Sequence, residues 1–153
     1  MSSTTVAFIG LGVMGYPMAG HLSTKGFATR VYNRNAAKSA AWANEYAGSA
    51  CATPREAAAG ADVICICVGN DDDLRSVVLG ADGVLAGAKK GAVIVDHTTA
   101  SAKVAVELHA LAAAQGVGFV DAPVSGGQAG AVNGALTVMC GGTDRKTSCR
   151  ERV

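Results

Sequence analysis

The apolar run Val6-Ala7-Phe8-Ile9 stops at a glycine and continues as Gly10-Leu11-Gly12-Val13-Met14-Gly15, a G-x-G-x-x-G pattern. The stretch after it, from Tyr16, reads as a helix. A strand, three spaced glycines and a helix in that order fold in few ways. The first glycine allows a tight turn. The second leaves the backbone bare of a Cβ, so that a large group can come close. The third lets the helix pack tightly on the strand. The helix N-terminus then presents unbonded N–H groups and the positive end of its dipole, which suits phosphate. In this context the pattern points to dinucleotide binding. Its glycines alone would say little in a chain with 20 of them; the flanking strand and helix carry the reading.

The rest of the chain alternates strand and helix signals. Strands are predicted over residues 6–9, 28–32, 50–52, 63–68, 92–95, 117–120 and 135–140. Helices are predicted from 16 to about 25, from Asn35 to about 46, over 54–60, from Asp71 onward, and over 101–115. Thr53-Pro54-Arg55-Glu56 forms a capping box with proline at the first helical position. In the 101–115 helix, Val104, Leu108 and Leu111 fall at helical spacing. Such alternation predicts an α/β fold, a doubly wound, mostly parallel Rossmann sheet ending in an extra strand. At 153 residues, half of them hydrophobic, the chain has material for one such domain. The domain is expected over residues 1–142, followed by an irregular polar tail over 143–153.

Composition removes several classes. A formal net charge of +1 offers no electrostatic basis for nucleic acid or an anionic membrane. No apolar run reaches the length of a membrane span. The opening Met1-Ser2-Ser3-Thr4-Thr5 lacks a basic and long apolar leader, so a cytoplasmic location is expected. The five cysteines are odd in number. Cys65 and Cys67 alternate with isoleucines and read as core side chains on one sheet face, and no metal site is expected. Asp71-Asp72-Asp73 reads as a solvated helix start complementing the dipole.

In a doubly wound sheet the ligand lies beyond the carboxyl ends of the strands. That rule selects the loops after each predicted strand. The second strand ends at Tyr32-Asn33-Arg34. A dinucleotide site that takes NAD carries an acidic residue near this position for the ribose 2′-hydroxyl. Asn33 stands there instead, and Arg34 can pair with a 2′-phosphate. NADP is therefore the expected cofactor, with NAD the other candidate. Thr98 and Thr99 can cap the following helix, stand near a nicotinamide, or divide these roles. His97 reads as a loop histidine, and His21 and His109 as structural residues within helices.

With these residues in place, the chain resembles the β-hydroxyacid dehydrogenases, the 3-hydroxyisobutyrate dehydrogenase and tartronate semialdehyde reductase type. Their cofactor domain is like that of 6-phosphogluconate dehydrogenase. The resemblance rests on the glycine loop with its Tyr16-Pro17-Met18-Ala19 continuation, on Asn33-Arg34, on residues 93–99, on Asp121-Ala122-Pro123-Val124-Ser125-Gly126-Gly127 and on residues 136–142. It implies hydride transfer between NAD(P) and a small 3-hydroxy acid or semialdehyde. It also implies roles: Gly10 to Gly15, with Leu11, Val13 and Met14, around the pyrophosphate; Arg34 on the adenosine phosphate; Val68 and Asn70 along the cofactor cleft; Thr99 on the nicotinamide side; and Ser125, Gly126 and Gly127 as the substrate-carboxylate loop. The family's acid–base lysine and its helical, dimer-forming second domain match nothing in these residues, so no catalytic residue is assigned. Truncation or a frame change near Asp144 is the expectation, and a nucleotide-binding module without turnover is the alternative function.

Overall fold

The computed structural model describes residues 4–141 and the backbone of 150–152. In chain order the elements are β1 (Thr5–Ile9), α1 (Gly15–Thr24), β2 (Ala28–Tyr32), α2 (Ala36–Glu45), β3 (Ser49–Ala50), α3 (Pro54–Ala58), β4 (Val63–Ile66), α4 (Asp71–Val78), α5 (Val84–Gly87), β5 (Val93–Asp96), α6 (Ala102–Ala113), β6 (Gly118–Asp121), β7 (Val124–Ser125), α7 (Gly127–Asn133), β8 (Thr137–Met139) and β9 (Arg150–Arg152). The first six strands form one sheet in the order β3-β2-β1-β4-β5-β6, and every pair is parallel. This is the doubly wound Rossmann order, whose direction of growth reverses between β1 and β4.

Side-chain alternation along the strands builds two cores. Ala7 and Ile9 of β1, with Ile64 and Ile66 of β4 and Ile94 of β5, face α3 to α6. Val6 and Phe8, with Val31 and Cys65, face the other layer, where Ala19 of α1 and Trp42 of α2 are fully buried. Cys67 packs on the same face as Cys65. Burial holds both thiols protonated, Cys65 up to about 12 and Cys67 up to about 11. They behave as small apolar side chains.

Several local expectations are corrected. The extra strand belongs to a separate antiparallel sheet, β7-β8-β9, and not to the parallel one. β4 ends at Ile66, two residues short of its apolar run, where the backbone turns toward the loop, while β5 has the expected length but lies one residue later, over Val93–Asp96. Helix α6 is capped by Ser101, whose hydroxyl accepts from the Val104 amide at 3.2 Å, so neither Thr98 nor Thr99 caps it. Its buried stripe is Val104, Leu108 and Ala112, while Leu111 is exposed. A full 3.6-residue turn from Leu108 favours position 112 over 111. In α3, Thr53 accepts from Glu56 as a capping box requires, yet Glu56 reaches the amide of Ala52 and not that of Thr53. Helices α5 and α7 are too short to leave a periodic signature. Within the polar tail, Arg150–Arg152 pair with the free edge of β8; residues 142–149 and 153 lie outside the described residues.

Candidate functional site

The direction reversal between β1 and β4 leaves a crevice beyond their carboxyl ends. A cleft of about 1010 Å³ occupies it. Gly10, Gly12, Val13, Met14 and Gly15 line one wall, Asn33 and Arg34 the end after β2, and Val68 and Gly69 the end after β4. These residues, a part of those selected from the sequence, converge from three separate strand ends.

The glycine loop is locked from below and open above. Gly10 donates to the Tyr32 carbonyl at 2.9 Å, and Leu11 donates to Asn33 Oδ1 at 2.9 Å. Leu11 itself is buried beneath the loop. A Cβ on Gly10, whose φ is +98°, would stand 2.1 Å from the Cys67 carbonyl oxygen, and one on Gly15 2.0 Å from that of Gly10. A Cβ on Gly12 would meet nothing within 4 Å. Gly10 and Gly15 are therefore glycines because the protein leaves no room, whereas Gly12 keeps clear the space in front of the loop. Helix α1 has no side-chain cap, and the amides of Gly12, Val13 and Met14 donate to no acceptor among the described residues. These unbonded N–H groups at a positive helix end form a cradle for an anion.

At the other end of the cleft the charge is mixed. Arg34 is largely exposed, and Lys38, in the first turn of α2, lines the same cleft without an ion pair among the described residues. Lys38 carries no signal in the sequence, because it sits four positions beyond Arg34 in a helix, where a lysine is ordinary. Asn33 has a second use: its carbonyl oxygen holds the Leu11 amide and its Nδ2 donates to the Asn35 carbonyl at 3.1 Å. One side chain thereby fixes the glycine loop relative to the end of β2. Opposite, Asp73 enters the lining and lies 3.5 Å from Arg34.

Other expected site residues lie away from this lining. Asn70 caps α4, its side chain accepting from the Asp73 amide at 2.8 Å. Thr99 is exposed on the loop after β5. Beneath it, Thr98 Oγ1 accepts from the Val68 amide at 3.2 Å, tying the loops after β4 and β5 together. Ser125 belongs to β7, and Gly126 and Gly127, with φ of 135° and 63°, turn the chain into α7. These two positive φ values exclude most side chains, and all three residues are exposed. His97 is buried, donates from Nδ1 to the Ala122 carbonyl at 2.9 Å, and is held below its ordinary pKa by burial. His21 Nε2 donates to the carbonyls of Ala131 and Val132 at the end of α7. Both histidines are thus engaged structurally. No group of three metal-ligating side chains exists among the described residues, and no described helix is long and apolar enough to cross a membrane.

Whether a dinucleotide fits is decided by features the fold does not explain by itself. The open space before Gly12, the unbonded amides beside it, and two cations at the far end of one cleft match a pyrophosphate and a distant phosphate. Comparison with known proteins agrees. Residues 5–153 match the family described as the NAD binding domain of 6-phosphogluconate dehydrogenase. An uncharacterized oxidoreductase of Shewanella frigidimarina is 60% identical over 137 residues, covering 90% of this chain and 47% of that protein. Mycobacterium tuberculosis 3-hydroxyisobutyrate dehydrogenase, solved with L-serine, superposes with a TM-score of 0.85 at 35% identity, covering 94% of this chain and 48% of its own. Psf3 in complex with NADP+ and 2-OPP superposes with a TM-score of 0.85 at 28% identity, covering 93% of this chain and 50% of its own. The chain spans about half the length of the relatives it matches.

Proposed function

Because this chain belongs to the family of the NAD binding domain of 6-phosphogluconate dehydrogenase, we propose that it is the NADP-binding domain of a β-hydroxyacid dehydrogenase. The observation that carries this reading is the single cleft joining the open glycine cradle to Arg34 and Lys38. The amides of residues 12–14 take the pyrophosphate. Arg34 and Lys38 take the 2′-phosphate of the adenosine, and the neutral Asn33 does not repel it. Val68 lies along the dinucleotide, and Asn70 holds the rim by capping α4. Thr99 stands on the nicotinamide side. Ser125, Gly126 and Gly127 offer a hydroxyl and backbone amides to a substrate carboxylate. The solved relative with NADP+ supports the choice of nucleotide, and the one with L-serine supports a small carboxylate-bearing substrate.

When bound, the nicotinamide supplies or accepts a hydride. The residues of this chain contribute binding and orientation, which set the face and distance at which a small 3-hydroxy acid meets that ring. Oxidoreductase turnover is a property we propose for the whole enzyme. The alternative reading, a nucleotide-binding module without turnover, shares the same cleft, and the exposed positions of Thr99 and Ser125 favour it for these residues alone.

Arg34→Ala separates NADP from NAD. Charge-assisted hydrogen bonds are worth about 1.5–3 kcal/mol, so calorimetric titration is expected to show NADPH binding weakened about 10- to 100-fold with NADH nearly unchanged. Equal affinity of the unsubstituted chain for both nucleotides would overturn the preference.

A further inference from the structure

The three consecutive acids that open α4 do three different things. Asp71 faces α6, accepting from the Ser101 amide at 2.8 Å and hydroxyl at 2.5 Å. Asp72 points outward, its side chain 97% exposed and 3.6 Å from Arg75. Asp73 turns the other way, into the cleft, with its side chain 32% exposed. Its carboxylate overhangs the loop after β4, since a Cβ on Gly69 would meet Asp73 Oδ2 at 2.8 Å. Its amide is fixed by the Asn70 side chain, which sets the first turn of the helix and with it the direction of Asp73. From there Oδ1 reaches Arg34 Nη1 at 3.5 Å, across 39 residues of sequence and across the mouth of the cleft.

Arg34 is the group that the NADP reading assigns to the 2′-phosphate. A carboxylate paired with it competes for the same guanidinium and adds like-charge repulsion to an incoming phosphate. We propose that Asp73 is a specificity-determining residue: an internal counter-ion for Arg34 that lowers the affinity for the 2′-phosphorylated nucleotide and narrows its advantage over the unphosphorylated one. The inference rests on the assignment of Arg34 to the 2′-phosphate. It makes the preference for NADP(H) a balance between two opposite charges, Arg34 after β2 and Asp73 in the first turn of α4, so that it is smaller than Asn33-Arg34 alone would give.

The isosteric Asp73→Asn removes the charge and keeps the size and the backbone cap. Its control is Asp72→Asn, the same charge change on the same helical turn but outside the cleft. Dissociation constants for NADPH and NADH are measured by calorimetry on the full chain and on Asp73→Asn, Asp72→Asn, Arg34→Ala and the Arg34→Ala/Asp73→Asn double variant. Thermal unfolding of each verifies that it is folded, with Asp73→Ser as a second substitution should Asn disturb the helix. An exposed ion pair together with the added repulsion corresponds to a change of about three- to tenfold. Asp73→Asn is expected to tighten NADPH by that factor and leave NADH within about twofold. Asp72→Asn is expected to change neither by more than about twofold, and the gain from Asp73→Asn is expected to vanish when Arg34 is already alanine. If Arg34→Ala weakens NADPH while Asp73→Asn leaves it unchanged, or if Asp72→Asn has the same effect as Asp73→Asn, the proposal falls and the NADP assignment stands. If Arg34→Ala leaves NADPH binding intact, both fall.

Discussion

Gly12 and Gly15 look equivalent in the motif, yet their surroundings assign them different costs. Alanine at position 15 forces its Cβ onto the Gly10 carbonyl, and neither backbone can yield without moving α1 from β1. Overpacking of this kind costs about 1–3 kcal/mol or more, so Gly15→Ala is expected to lower Tm by about 5 °C or more. Alanine at position 12 meets no atom, and Gly12 lies outside the positive-φ set. Its unfolded chain also has less freedom to lose. Gly12→Ala is therefore expected to hold or slightly raise Tm while weakening NADPH at least about tenfold, because its methyl fills the space the pyrophosphate needs. Thermal unfolding and nucleotide titration on the two variants check this, and a Gly12→Ala protein that binds normally would show that the loop is not the cradle. Asn33 carries the same lesson. Its identity is legible in the sequence as the absence of an acid, but its grip on the Leu11 amide appears only in three dimensions.

Among the elements, the carboxyl end of β5 ties together the chain ends of β4 and β6 on either side of it. Ala122 donates to the Asp96 carbonyl at 2.7 Å, His97 donates to that of Ile66 at 2.7 Å, and Thr98 ties in Val68. Asp96 is fully buried at this junction. Its Oδ1 accepts from the Thr98 amide at 3.0 Å, while its Oδ2 has no partner among the described residues. Burial raises its pKa from 3.8 to about 6, against the Thr98 hydrogen bonds, with a smaller push from Asp121 beside it on β6. The native state therefore holds this proton more tightly than the unfolded chain. The stability it contributes is complete below about pH 4 and is lost as pH rises through about 6. The gap between 3.8 and about 6 corresponds to about 3 kcal/mol. Asp62 and Asp71, held below their ordinary values chiefly by the hydrogen bonds from Lys89 and Ser101, act with the opposite sign in both proteins of a comparison. Denaturant unfolding of the unsubstituted chain and Asp96→Asn at pH 4 and pH 7 isolates the difference. The advantage of the aspartate is expected to shrink by about 2–3 kcal/mol between them; a constant difference would mean that Asp96 titrates normally.

For the whole molecule, the sequence was most informative where periodicity and glycine chemistry act locally. β2 spans 28–32 as its pattern predicts, and Asn35 caps α2 through the Ala37 amide. The α/β alternation led to the observed sheet because parallel strands joined by helices have few right-handed arrangements. Helices α5 and α7 were hidden because four to seven residues carry too little pattern. The separate sheet of β7, β8 and β9 was hidden because a three-residue strand does not say which edge it joins. Likewise the cleft residues after the glycine loop could be named from strand ends, whereas the approach of Asp73 to Arg34 depends on how α4 is set and has no signature in spacing. On the proposed function, the cleft at the β1–β4 reversal is where this chain binds NADPH. A second hollow of about 530 Å³, lined by Tyr16, His21, Tyr46 and Gln128, offers a separate location against which to test it. Amide chemical-shift mapping of the isotopically labelled chain during an NADPH titration is the direct test. The expected result is saturable shifts concentrated at residues 12–15, at Arg34 and Lys38, and at Val68. Shifts centred on Tyr46 and Gln128, or none at saturating NADPH, would contradict it.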